Sequence, residues 1–105
     1  MGFLDFIGLG NKISAIEEYT KKGAIIIDVR SNEEYRNGHV MGSKNIPLPT
    51  LQHEISKIKS WNKPVIACCQ SGMRSAQATS ILTKNGIDCI NGGGWNSLNN
   101  KLSAM

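Results

Sequence analysis

The chain has 105 residues, 40% hydrophobic and 19% charged, with a formal net charge of +4; that length supports one core, and the composition excludes a disordered tail. The lysines are scattered from Lys12 to Lys101 with no run longer than Lys21-Lys22. This is the pattern of a solvated surface, so nucleic acid is not an expected partner, whereas small anions suit a mildly basic protein.

In chain order, the opening "MGFLDFIGLG" is apolar but short, carries Asp5 and lacks a basic leader, which makes it a poor signal peptide. Gly2 invites myristoylation, but Phe6 stands where a Ser or Thr is wanted. The expectation is a short helix on the domain edge or a loose segment, with residues 1–12 an N-terminal extension and 13–105 the domain. No stretch reaches the ~20 apolar residues that a membrane span needs.

Ser14 and Glu17 form a capping box for a helix that Gly23 closes, with Ile16 and Tyr19 inward. "AIIIDV", Ala24 to Val29, is a β-branched run typical of a strand buried on both faces. Ser31 and Glu34 make a second capping box, for a short helix ending at Gly38. "KNIPLP" reads as a brief strand cut off by Pro47 and Pro49, and Leu51, Ile55 and Ile58 have the spacing of an amphipathic helix. "PVIACC" is another buried strand, followed by a helix with Ala78, Ile81 and Leu82 inward and Gly86 as its stop. "IDCI" is a last short strand, "NGGGW" a turn, and a small helix ends the chain. Strands alternating with helices over short connections imply an α/β fold, a parallel sheet covered on both faces, with its ligand beyond the carboxyl ends of the strands.

The stretch "VIACCQSGMRSAQ" lies at such an end. Four residues separate Cys69 from Arg74, and five separate Cys68 from it. A thiolate at the mouth of a loop leading into a helix feels aligned N–H groups and the helix N-terminus, which lower its pKa from about 8.5 toward the reactive range. Arg74 adds positive charge and can hold an anion by paired hydrogen bonds. Gly72 lets the loop turn inward, and Ser75 can cap the helix or donate to sulfur. Such a nest suits a persulfide or a phosphoryl group, according to which cysteine lies at its base. If Cys69 faces the loop, strand alternation turns Cys68 away. Adjacent cysteines make a poor disulfide, and no C-x-x-C or nearby histidine suggests zinc. Reduced cysteines and a cytoplasmic location are therefore expected, with no metal and no cofactor.

"DVRSNEEYRNGHVMGSKNIP" (Asp28 to Pro47), "CQSGMRS" (Cys69 to Ser75) and "GGGW" (Gly92 to Trp95) resemble the three signatures of the rhodanese-like domain, over about Ser14 to Leu102. The resemblance implies a rhodanese fold, a five-stranded parallel sheet with helices on both faces. It also implies a catalytic Cys69 that takes a sulfane sulfur from thiosulfate or a persulfide and passes it to a thiol or cyanide. The substrate is then cradled by Gln70, Ser71, Gly72, Met73, Arg74 and Ser75. Phosphatases and arsenate reductases of the same fold have a loop one residue longer, which would use Cys68. Gly72 at the third position after Cys69 favours the rhodanese register. A persulfide carrier without turnover is a third reading.

Around the loop, Asp28, Arg30, Glu34 and His39 are read as structural, with Arg30 pairing to a carboxylate such as Glu34, Asp28 accepting N–H groups, and His39 bonding near the turn after the short helix. His53 is read as solvated, and Cys89 and Cys68 as core residues, Cys68 alternatively as a resolving thiol. The glycines at 92–94 let backbone pass close to the loop while Trp95 closes the core. The expected partners are a small anionic sulfur donor, a thiol acceptor and a sulfur-accepting protein, with the chain a monomer.

Overall fold

The computed structural model of the chain describes residues 8–105, with side chains from Ala15 onward. Of the apolar opening "MGFLDFIGLG", residues 1–7, and with them the myristoylation reading of Gly2 and Phe6, lie outside the described residues. Within them the order is α1 (Gly8–Lys21), β1 (Ile25–Asp28), α2 (Asn32–Arg36), β2 (Lys44–Asn45), a 3-10 helix (Leu48–Glu54), α3 (Ile55–Ser60), β3 (Val65–Cys69), α4 (Met73–Lys84), β4 (Cys89–Gly94) and α5 (Trp95–Ser103).

All pairings are parallel, in the strand order β2-β1-β3-β4. The four strand segments legible in the sequence thus become four strands. The fifth implied by the resemblance is not found among the described residues, because the segment leading into β1 is helical from Gly8 to Lys21. That helix also starts ahead of Ser14, so the Ser14–Glu17 pair stands inside it and does not open it. The box at Ser31 and Glu34 does form: Ser31 accepts the Glu34 N–H, and the Glu34 carboxylate accepts the Ser31 N–H.

Side-chain alternation along the strands sorts the core into two layers. Val65, Ala67 and Cys69 of β3 join Ile27 and Val29 in packing against Leu51, Ile55 and Ile58 and against Ala78 and Leu82 of α4. Ile66 and Cys68 face the other way, toward Ile16 of α1 and Leu98 of α5. Each large aliphatic side chain so buried contributes about 1.5–3 kcal/mol. The stretch from Leu48 begins as a 3-10 helix because Pro47 and Pro49 remove donors at its start, and it becomes α-helical only at Ile55. No helix among the described residues is long and apolar enough to cross a membrane.

One expected turn is a strand. "NGGG" continues β4 through Gly94, with a bulge opposite the Ala67–Cys68 step. At Gly94 a Cβ would stand 2.7 Å from the Gln70 carbonyl oxygen, so the strand runs against the loop after β3 at backbone distance. Trp95 then packs in the α1/α5 layer.

From β1 the chain moves to β2 on one side, and from β3 it moves to β4 on the other. The point where these directions diverge lies beyond the carboxyl ends of β1 and β3, where a crevice opens in sheets of this kind. Cys69 and Asp28 end those two strands.

Candidate functional site

Cys69 is the last residue of β3, and α4 begins at Met73. Gly72, the residue that caps α4, has φ of +104°, a left-handed conformation that a side chain would resist. This turn directs N–H groups at the sulfur: Gly72 N–H at 3.0 Å and Ser75 N–H at 3.3 Å, with the Ser75 hydroxyl at 3.3 Å. Burial pushes the Cys69 thiol up, but hydrogen bonds from the Ser75 hydroxyl and from the Ser75, Gly72 and Ser71 N–H groups outweigh it. Its pKa falls below the ordinary thiol value. Cys69 is only 1% exposed, so a substrate must come down into the loop mouth.

Not every residue of the expected cradle acts on the sulfur. Ser71, Gly72 and Ser75 do. Gln70 and Met73 are exposed at the rim, Met73 at 77%. Ser75 does not cap the helix, a place taken by Gly72; it is wholly buried in the first turn of α4, beside the sulfur.

Cys68 lies on the opposite sheet face and is 0% exposed. Burial, then the nearby Asp28 carboxylate, push its thiol up to about 12. The longer register counted from Cys68 would therefore start from a buried thiol that is pushed up to about 12 and lies on the sheet face opposite Cys69. Cys89 is also buried, with burial pushing it up to about 11. All three cysteines are free.

Arg30 pairs with a carboxylate, but that carboxylate is Asp28. Arg30 does not reach Glu34. Its Nε and Nη2 donate to Asp28 at 2.7–3.1 Å, its backbone N–H donates to Asp28 Oδ1, and Nη2 also donates to the Gly38 carbonyl at 2.7 Å. The guanidinium lies 4.9 Å from the Trp95 ring centre. Short range wins: the two side chains leave the same strand end two residues apart and are both buried. Glu34 instead takes Arg74, with Nη1 at 2.8 Å and Nη2 at 3.1 Å from its two oxygens. Arg74 foremost, then the Ser31 N–H, hold the Glu34 carboxyl at about 2. Arg74, expected to add positive charge to the loop and hold an anion, thus arrives with a counter-ion.

His39 donates through Nδ1 to the Tyr35 carbonyl at 2.7 Å and stacks on the Tyr35 ring. These contacts tie it to the last turn of α2. His53 is exposed.

Asn91 was read only as part of a turn, yet it joins the site. Its side chain contacts Ser75 Oγ at 2.7 Å, Gly93 N–H at 2.9 Å and the Gly72 carbonyl at 3.1 Å. Strand alternation from the buried Cys89, which shares the Cys69 layer, carried a signal: two residues on, Asn91 should face the same layer.

The profile of the rhodanese-like domain matches residues 13–101. An uncharacterized protein of Bacillus subtilis, YqhL, is 39% identical over 83 residues, covering 77% of this chain and 65% of that protein. The thiosulfate sulfurtransferase PspE of Escherichia coli is 36% identical over 69 residues, covering 65% of this chain and 66% of that protein. A solved structure described as rhodanese with anions from E. coli superposes with a TM-score of 0.63 at 36% identity, over 70% of this chain and 88% of that one. The chain thus spans about two thirds of the two curated relatives.

Proposed function

The chain belongs to the rhodanese-like domain family, and from that premise we propose that it is a sulfurtransferase working through a Cys69 persulfide. The observation that carries this reading is the Cys69 sulfur itself, hydrogen-bonded by Gly72 and Ser75 and shifted toward the thiolate. The Cys69 thiolate attacks the outer sulfur of a donor. A new S–S bond forms, the donor's own bond to that sulfur breaks, and its electron pair leaves with the remainder of the donor. With thiosulfate the leaving group is sulfite; with a persulfide it is a thiolate. The outer sulfur of the resulting persulfide extends about 2 Å beyond the cysteine sulfur, toward the loop mouth. An acceptor thiolate or cyanide attacks it there, and the pair returning to Cys69 restores the thiolate. No general base is required when the attacking group is already ionised.

A persulfide is the donor class best matched to the mouth. Thiosulfate is a dianion, and Arg74 already holds the Glu34 carboxylate through both terminal nitrogens. A thiosulfate would have to displace that carboxylate or share its cation, and both cost binding energy. The thiosulfate sulfurtransferase activity named for PspE supports the reaction class. The Cys68-based phosphatase reading finds no support, since that thiol is buried on the far face and pushed up to about 12.

The test is intact mass after incubation with cysteine persulfide or thiosulfate, run on the wild type and on Cys68→Ser and Cys69→Ser. The expected result is a gain of one sulfur atom in the wild type and Cys68→Ser, absent in Cys69→Ser and discharged by cyanide. Loss with Cys68→Ser alone, or hydrolysis of an aryl phosphate by the wild type, overturns the reading.

A further inference from the structure

Two contacts link the nucleophile to β4: Cys69 Sγ lies 3.3 Å from Ser75 Oγ, which lies 2.7 Å from Asn91 Oδ1. A hydroxyl has one hydrogen, and here it has two acceptors. Which one receives it follows from Asn91. The Gly93 N–H points at Oδ1 and the Gly72 carbonyl at Nδ2. Exchanging the two ends of the amide would set N–H against N–H and C=O against C=O, so the backbone fixes Oδ1 toward Ser75. An oxygen 2.7 Å from that acceptor must donate to it. With the cysteine neutral, Ser75 therefore gives its hydrogen to Asn91 and accepts from the Cys69 S–H.

We propose that Asn91 is a positioning residue, which competes with the Cys69 thiolate for the single hydrogen of Ser75 and thereby restrains the ionisation of the nucleophile. When Cys69 ionises, its proton leaves to water and the Ser75 hydroxyl turns from Asn91 to sulfur. The thiolate gains a donor only as Asn91 loses one. The N–H groups of Gly72 and Ser75 have no such rival, so the restraint acts through the hydroxyl alone.

The charged groups around the trio are few. Arg74 on α4 is paired with Glu34 on α2, and Arg30 past the end of β1 is paired with Asp28. The 3-10 helix and α3 present Leu51, Ile55 and Ile58 to this layer, and β4 from Ile90 to Gly94 has no titratable side chain. Nothing on β4 except the Asn91 amide competes for the hydroxyl.

The proposal takes from the preceding section only that Cys69 is the reactive thiol, and its test needs no turnover. The rate of iodoacetamide modification of Cys69 is followed by peptide mass against pH, in wild type, Asn91→Leu, Asn91→Asp and Ser75→Ala, and in both Asn91 variants combined with Ser75→Ala. Asn91→Leu is expected to lower the midpoint and raise the rate below it about three- to tenfold, as a hydrogen bond to a charged group would. In the Ser75→Ala background the same change leaves the midpoint where it is. Asn91→Asp keeps the shape and the acceptor oxygen, so it raises the midpoint, and by more with Ser75 than without it. The proposal is overturned if Asn91→Leu shifts the midpoint equally in both backgrounds, or if Asn91→Asp lowers it. Should Asn91→Leu not fold, the Asn91→Asp pair decides alone, and an equal rise with and without Ser75 overturns the proposal. Absence of sulfur uptake by Cys69 would defeat the transferase reading and leave this ordering of midpoints standing.

Discussion

The Arg74 guanidinium meets the Glu34 carboxylate in a two-point contact, 2.8 and 3.1 Å, between residues forty apart in sequence. This contact sets the charge at the mouth of the Cys69 loop. Removing the carboxylate while keeping the shape, in Glu34→Gln, leaves Arg74 free to bind an anion. Thiosulfate KM is expected to fall and kcat/KM to rise about three- to tenfold, a size typical of a partly exposed charge contact. Rates with a persulfide donor should change less. Steady-state kinetics with both donors checks this, and an unchanged thiosulfate KM removes the pair from specificity.

The same pair has an acid signature. Arg74, then the Ser31 N–H, lower Glu34 from the usual 4.5 to about 2. A carboxyl lowered on folding adds stability above its unfolded pKa and loses it as pH falls through the folded one. The stability difference between wild type and Glu34→Gln should therefore shrink between about pH 5 and pH 2. With both side chains more than a third exposed, it should stay below about 1 kcal/mol. Urea melts across that range provide the measurement.

Reactivity should separate the three cysteines. Cys69 is lowered by its hydrogen bonds, while burial pushes Cys68 up to about 12 and Cys89 up to about 11. Brief alkylation of the folded protein at pH 7.5 or below is expected to label Cys69 alone, and unfolding should expose all three. Peptide mapping before and after denaturation reads the outcome; equal labelling of Cys68 in the folded state contradicts it.

Asp28 and Arg30 are 0% and 3% exposed and satisfy one another. Asp28→Ala strands a buried guanidinium beside Trp95, and should cost about 3–5 kcal/mol. Asp28→Asn keeps the shape and some of the hydrogen bonds and should cost less. Denaturant midpoints of the two variants rank them.

Gly94→Ala puts a methyl carbon 2.7 Å from the Gln70 carbonyl. Backbone must move, at a cost of about 1–3 kcal/mol, and the part that moves is the loop holding Cys69. Sulfur transfer should fall further than the stability loss explains. A variant that melts early but turns over normally when folded would refute that coupling.

Much of this was legible in the chain because it depends on neighbours. The Ser31–Glu34 box, the β-branched run before Asp28 and the alternation that separates Cys68 from Cys69 all arise within a few residues. Local signals also misled. Ser14–Glu17 has a capping pattern inside a longer helix, because a helix already under way at Gly8 has no need of a new cap. Three consecutive glycines suggested a turn, whereas β4 needs them to run against the loop.

The order of elements and the loop whose backbone amides gather on Cys69 follow from short segments of the chain, since strand periodicity and a turn at a glycine are local properties. Tertiary structure decided the charge and proton balance of that loop. Glu34 reaches Arg74 from α2, and Asn91 reaches Ser75 from β4, only because the parallel sheet brings distant segments together at its carboxyl edge. Ionic and hydrogen-bond partners are chosen by distance in space, which spacing along the chain does not encode.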